Sequence, residues 1–217
     1  MSDGLVSQGA YLEVSVQSTG SYAFVAATDK ITRASGDFTA DGITVGMRLT
    51  TNAPVTANQG SFEVTAVSAT EITTNGTLTD ASAATTTITA FQKVGEVTSM
   101  NTPAGEPAEI DMSHLESTAR EFRNGLRDEG SITGEMNFVP SDAGQTIMVE
   151  MQSEKTPRQV SITLPAVDDG AQQLDGYRWT FGGLVRGMPV SIGVDEKAVR
   201  AYTIRVSGSV TEEVIPV

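Results

Sequence analysis

The chain has 217 residues, of which 39% are apolar and 19% charged, as in a globular domain with or without a small second module. With 27 acidic and 14 basic residues, its net charge of −13 argues against binding a polyanion through clustered cations. It has no Cys and one His, which excludes disulfides, thiolate metal sites and multi-histidine metal centres. No apolar stretch approaches the roughly 20 residues that span a bilayer, so membrane insertion is not expected.

The first part of the chain predicts β structure. The opening residues have no basic segment followed by an apolar run, so no Sec export signal is expected. Residues 11–16 alternate apolar and polar side chains, as a strand with one buried face does. Residues 21–92 are Thr-rich, with 17 Thr and nine charged residues. Five short strands are predicted there, at 30–32, 47–51, 62–67, 71–74 and 85–91.

We interpret residues 21–92 as an inserted Thr-rich β-domain rather than a low-complexity linker. Apolar side chains recur often enough to fill a small core, namely Phe24, Ile31, Phe38, Met47, Phe62, Val64 and Ile72. Asn75-Gly76 between β-prone runs predicts a hairpin turn, because both residues accept a positive φ. The remaining residues, 1–20 and 93–217, then form the core domain.

The core domain reads as mainly β, of mixed α+β type, with one helix packed on the sheets. The helix is predicted to begin after Ser141 or Asp142 and to end near Ser153, with an apolar stripe on one side. Residues 101–107 form a turn-rich loop, and residues 117–127 a helical turn or a partly ordered loop. The predicted strands are 94–100, 108–112, 131–138, 159–164, 177–184, 188–192 and 201–210.

No catalytic, metal or cofactor site is predicted. His114 lies between Asp111 and Glu116, and either carboxylate could orient it as a general base, but a lone His among polar residues is usually a solvated side chain. No nucleophile motif and no phosphate-binding Gly loop is present. Two acidic segments that could suggest Ca²⁺, 168–170 and 195–196, fall where turns are expected and lack EF-hand spacing.

The most unusual local feature is the charged segment 116–129. Arg120, Arg123 and Arg127 are spaced by three and four, which places them on one side of a helical turn. Acidic residues surround them, and Phe122 and Leu126 lie at the centre. Two readings stay open: a protein contact with apolar anchors inside a charged rim, or a solvated surface turn whose ion pairs contribute little.

Residues 109–130 and their continuation resemble the tail tube (major tail) proteins of bacteriophages with long non-contractile tails, the lambda-like siphoviruses. The first stretch reads EIDMSHLESTAREFRNGLRDEG, and the continuation at 134–145 reads GEMNFVPSDAGQ. The similarity is good from residue 94 to about 151 and beyond that lies in the order of elements. The chain departs from the family pattern at Ser113, Glu116 and Arg123-Asn124.

The resemblance implies a structural virion protein and no enzyme. In this family two packed antiparallel sheets and a helix form each subunit, six subunits join into a β-barrel ring, and stacked rings make a hollow tube through which genomic DNA passes without specific binding. The implied partners are further copies of the chain and the tail tip or baseplate, tape-measure and tail terminator proteins. Assembly is expected in the bacterial host cytoplasm. Candidate contacts between subunits or rings are Leu115, Arg120, Phe122, Arg123, Leu126 and Arg127.

Two further expectations concern the tube. Residues 93–217 hold 19 acidic and 11 basic residues, so Glu96 and Glu135 are expected to place negative charge in the lumen, where it repels DNA. The insertion at 21–92 is expected to project outward. Other functions stay open beside the tail tube. Two are further virion components, a tail terminator and a capsid decoration protein. The others are a β-sandwich surface adhesin, which would need an export signal that is missing, and a carboxylate hydrolase, which no motif supports.

Overall fold

The computed structural model describes residues 9–114, 118–168, 173–194 and 196–217. These residues form a mainly β protein with one α-helix, as the sequence predicts. Leu115 and Glu116, which the sequence singled out, lie outside the described residues.

Six strands between residues 11 and 93 close into a barrel, which we call the first-part barrel. They are β1 (Tyr11–Val25), β2 (Lys30–Arg33), β3 (Arg48–Thr51), β4 (Ser61–Val67), β5 (Glu71–Thr74) and β6 (Ala81–Lys93). All neighbours are antiparallel in the order β2-β5-β4-β3-β6-β1, and a further pairing of β1 with β2 joins the two ends of this order. The five predicted short strands are confirmed, and so is their core, since all seven apolar residues predicted for it are buried.

The predicted hairpin turn at Asn75-Gly76 is wrong. Strand β5 ends at Thr74, but it pairs with β2 and β4 and not with β6, the next strand along the chain. Asn75 instead braces β4: its side-chain Oδ1 accepts the Glu63 N–H at 2.8 Å, and its own N–H donates to the Glu63 carbonyl at 3.0 Å. Asn75 therefore makes hydrogen bonds to the neighbouring strand β4 instead of forming part of a two-residue hairpin loop.

The rest of the chain extends the same sheet. Its strands are β7 (Val97–Met100), β8 (Glu106–Asp111), β9 (Phe122–Asp128), β10 (Ser131–Asn137), β11 (Arg158–Leu164), β12 (Val167–Asp168), β13 (Gln173–Leu174), β14 (Gly176–Gly187), β15 (Val190–Ser191) and β16 (Val199–Ile215). From β1 the order continues β11-β14-β16-β10-β7, with β15 also on β16. Two pairs, β8–β9 and β12–β13, form separate two-stranded sheets. The expected two packed sheets are thus replaced by one continuous twelve-stranded antiparallel sheet.

Strand β1 explains the continuity. It pairs with β6 from Glu13 to Phe24 and with β11 from Tyr11 to Val14, so one strand serves both parts of the sheet. It also runs without a break across the position between residues 20 and 21, where the sequence places a domain boundary. The division into a core domain and an inserted domain stays a prediction, and any such units share β1 and β6.

The α-helix of the described residues, α1 (Ala143–Ser153), begins where the sequence predicts. The Asp142 side chain caps it by accepting the Gln145 N–H at 2.8 Å. Buried Gln145 donates in turn to the backbone carbonyls of Asn137 and Gly95. Ile147, Met148 and Met151 bury their side chains against the sheet. The helix therefore covers the apolar face of the strands and fixes the segment between β6 and β7.

Candidate assembly interface

The charged segment that the sequence singled out contributes to a β-hairpin, which we call the arm, formed by β8 and β9. The two strands pair antiparallel from Glu106 with Asp128 to Asp111 with Phe122. The predicted helical turn or loop over 117–127 is therefore wrong for residues 122–127, which belong to β9, whereas residues 118–121 are loop. Phe122 and Leu126 form too short an apolar stripe to hold a helix without a packing surface, whereas β8 supplies hydrogen-bond partners along the whole of β9.

The arm is exposed along almost its full length. Every residue of its two strands is exposed except Gly125, which is half-buried. Among them are large apolar side chains: Ile110 is 47% exposed, Phe122 51% and Leu126 91%. An isolated two-stranded hairpin is marginally stable in water, so a partner that covers these side chains would stabilise the arm.

The two faces of the arm carry different side chains. Residues opposite each other in an antiparallel pair point to the same side, and successive residues alternate. The pairs Asp111 with Phe122 and Glu109 with Asn124 therefore share one side, which we call the acidic face. Ile110 and Arg123 are paired on the other side, the basic face, together with Ala108.

A β-bulge breaks the alternation nearer the base of the arm. The register shifts between Pro107 and Glu109, so β9 carries one extra residue there and Arg127 is paired with Pro107. Three arginines on one side of a helical turn, as the sequence suggested, are therefore not found. Arg123 belongs to the basic face, Arg127 lies beyond the bulge, and Arg120 is exposed ahead of β9.

The base of the arm is tied to the large sheet by an ion pair. Both carboxylate oxygens of Asp128 accept from Nη2 of Arg205 in β16, at 2.8 and 2.6 Å. The Gly130 N–H donates to the same carboxylate at 2.9 Å, in a turn where Gly130 adopts the left-handed φ of 73°. The Gly130 N–H first, and Arg205 second, hold the pKa of Asp128 below its ordinary value. Sequence reasoning missed this pair, because its members lie 77 positions apart.

The far end of the arm is ordered by local hydrogen bonds. The Ser113 hydroxyl and N–H lower the pKa of Asp111, whose Oδ1 accepts the N–H at 2.9 Å. The Met112 N–H donates to the Glu121 carbonyl at 2.8 Å, and the backbone N–H of Glu121 donates to the Ser113 hydroxyl at 3.0 Å. His114 is exposed and follows Asp111 by three residues, and the Asp111 carboxylate already accepts hydrogen bonds from Ser113.

The two acidic residues expected in the lumen lie close together at the end of the large sheet. Glu96, with the left-handed φ of 61°, precedes β7, and its carboxylate accepts from the Asn137 side chain at 2.8 Å. Glu135 is exposed two residues before Asn137, on the same side of β10. Strand β7 is the last of the sheet order, so one of its edges has no partner among the described strands. Two carboxylates thus flank an open sheet edge.

The described residues offer little that suggests an enzyme site. A cleft of about 560 Å³ lies between β1 and α1 and contains the side chains of Asp41, Glu150 and Glu154, the last paired with Arg158. Within the described ranges no group of three or more His, Asp or Glu side chains could hold a metal ion. The described helices include none with the length and apolar character needed to cross a membrane.

An exposed arm with apolar side chains and an open sheet edge are features of a β protein that assembles with other chains. The model of the lambda-like phage tail tube family matches residues 70–214, more than half of the chain, and the chain belongs to this family. The match includes the arm, α1 and the open edge, and it begins inside the predicted insertion. Comparison with individual curated proteins gives no match. The protein is therefore a structural component of a phage tail tube, and the resemblance seen in the sequence is confirmed.

Proposed function

We propose that six copies of the chain form a ring, that rings stack into the hollow tail tube, and that the tube conducts genomic DNA into the host. The observation that carries this proposal is the exposed arm, which lies within the region matched by the family. In the virion, the end partners of the tube would be the tail tip or baseplate and the tail terminator. The tape-measure protein would occupy its lumen during assembly.

The arm supports contact between stacked rings. Burying a large apolar side chain contributes about 1.5–3 kcal/mol, so Phe122 and Leu126 are suitable anchors at the boundary of a neighbouring ring. Arg120, Arg123 and Arg127 would pair with carboxylates across that boundary, where partial desolvation strengthens such pairs. Six copies per ring make even a weak contact firm through multivalency.

The open edge at β7 supports closure of each ring. An unpaired edge strand is a template for pairing with another chain, and a closed barrel removes such edges. We propose that β7 pairs with a strand of the neighbouring subunit, so that six sheets join into one barrel. The first-part barrel, whose strands each have two neighbours, has no comparable edge and would sit on the outside of the tube.

The acidic pair beside that edge supports a lumen that repels DNA. Glu96 and Glu135 would place carboxylates on the channel wall, and like charge keeps the duplex from adhering. A tube whose inner wall is neutral or basic would contradict this assignment. Reversing Glu135 to Lys should leave assembly intact and make empty tubes retain added duplex DNA at low salt.

The test of ring stacking is polymerisation of purified protein, followed by negative-stain microscopy. The wild type should form hollow tubes with a regular axial repeat. Phe122→Ala combined with Arg123→Glu should give folded monomers or single rings that do not elongate. Val45→Ala, which truncates a similarly exposed apolar residue of the first-part barrel, is the matched control and should polymerise normally. Long tubes from the double variant at the wild-type concentration would refute the role of the arm.

A further inference from the structure

Between the bulge and the far end, the two faces of the arm have opposite charge and complementary apolar groups. Nearer the base, Glu106 and Asp128 fall on the side of the basic face and Arg127 on the side of the acidic face, so oppositely charged groups still face each other when the two faces of different copies meet. The acidic face presents Phe122 with the carboxylates of Glu109 and Asp111. The basic face presents Ile110 with Arg123, and both of these side chains are exposed as well. A hairpin covered by a partner on only one side would still leave a half-exposed Phe or Ile in water. The arm is therefore built for contact on both sides.

We propose that arms of neighbouring copies pack head to tail, with the acidic face of one arm on the basic face of the next. This inference rests on the proposed function, because it needs copies brought together in a ring. In this arrangement Phe122 and Arg123 serve a lateral contact within the ring instead of the boundary between rings, and Leu126, at the bulge, remains to reach the neighbouring ring.

The charges of the two faces favour a second copy of the chain as the partner of the arm, and they also determine how that copy is oriented. Glu109 and Asp111 of one arm would face Arg123 of the next, while Phe122 would lie on Ile110 across the usual separation of packed sheets, about 10 Å. Two acidic faces brought together would repel, so pairing of like faces is disfavoured. A contact between two different faces of identical chains is heterologous and closes into a ring when the rotation permits. The arms would then form a continuous annulus.

Engineered cysteines test the geometry directly, because the chain has no Cys of its own. Ala108→Cys places a thiol on the basic face and Asn124→Cys places one on the acidic face, and both leave the charged residues unchanged. Their Cβ atoms point to opposite sides of one arm, so a bridge within a chain is disfavoured. A disulfide cannot span two faces packed about 10 Å apart, so the assembled double variant is treated with a short bifunctional thiol reagent, which should link different copies.

The expected result is a ladder on a non-reducing gel that ends at the number of subunits in a ring. Each single variant, carrying one thiol, should stop at dimers at most. Microscopy of the same samples separates the two claims. Failure of the wild type to form tubes would refute the proposed function, whereas tubes of the double variant without a ladder would refute the head-to-tail arms.

Charge reversal supplies a second test in case the cysteine variant does not assemble. Glu109→Arg or Arg123→Glu alone brings like charges together and should raise the concentration needed for polymerisation by about tenfold or more. The double variant exchanges the charges of the two faces and should recover most of the loss. Glu63→Arg and Lys155→Glu, exposed charge reversals away from the arm, should have little effect. Additive loss in the double variant would overturn the proposal.

Discussion

The strongest single prediction concerns a buried ion pair between two strands of the first-part barrel, β1 and β3. Glu13 in β1 is 1% exposed, and its Oε2 accepts from Nε and Nη2 of Arg48 in β3 at 3.0 and 2.6 Å. The Arg48 guanidinium also lies over the Phe91 ring, 4.0 Å from its centre. Arg48→Met keeps most of the side-chain volume but leaves the Glu13 carboxylate buried without its counter-charge.

Removing one partner of a buried pair costs about 3–5 kcal/mol, because the remaining charge stays desolvated. For a chain of this size that lowers the melting temperature by roughly 6–20 °C, at about 2–4 °C per kcal/mol. Glu13→Gln combined with Arg48→Met removes both charges and should cost clearly less than Arg48→Met alone.

Urea unfolding of the wild type, Glu13→Gln, Arg48→Met and the double variant, followed by circular dichroism, measures these differences. The control is Lys30→Met, which removes a cation from a more exposed pair with Glu71 and should cost less than about 1 kcal/mol. A loss below 1 kcal/mol for Arg48→Met, or strict additivity in the double variant, would refute the reasoning.

Three further predictions concern the helix, the arm and the first-part barrel. Asp142→Ala should destabilise the protein by about 1 kcal/mol in urea unfolding, because it removes the helix cap, and Asp142→Asn should retain most of it. Because the folded pKa of Asp128 is depressed, its contribution to the arm is present at neutral pH and lost as the pH falls below the ordinary value of 3.8. Limited proteolysis should show the arm loosening in that range, and Asp128→Asn should abolish the pH dependence. Replacing residues 22–84 with Asn-Gly, which joins the paired Ser21 and Thr85 by a two-residue turn, should leave a soluble chain that assembles into thinner tubes. An insoluble product would show that the barrel belongs to the core.

The sequence predicted most strands and the helix because their signals are local. Alternation in β1, the Thr-rich runs of the barrel and the Asp142 cap depend on neighbouring residues. Which strands pair with each other was harder to predict, because pairing depends on residues far apart in the chain. The Asn75-Gly76 turn suggested the wrong pairing, because a turn signal does not say which strand returns. Continuity of the sheet through β1 likewise follows from two distant partners, β6 and β11.

The arm shows the same limit at the candidate interface. Arg120, Arg123 and Arg127 have helical spacing, yet strand pairing with β8 decides their positions and places Phe122 and Arg123 on opposite faces. The composition of the contact was visible in the sequence, namely apolar residues among charges. That the arm has an acidic and a basic face follows only from the register of β8 and β9. That its base is held by an ion pair follows only from the contact of Asp128 with Arg205 in β16.

The most direct test of the account is cryo-electron microscopy of tubes assembled from the purified chain. We expect a hollow helical assembly of six-subunit rings, with Glu96 and Glu135 on the channel wall, the first-part barrel outside, and arms between subunits. Discrete monomers at high protein concentration, or filaments without a central channel, would contradict it.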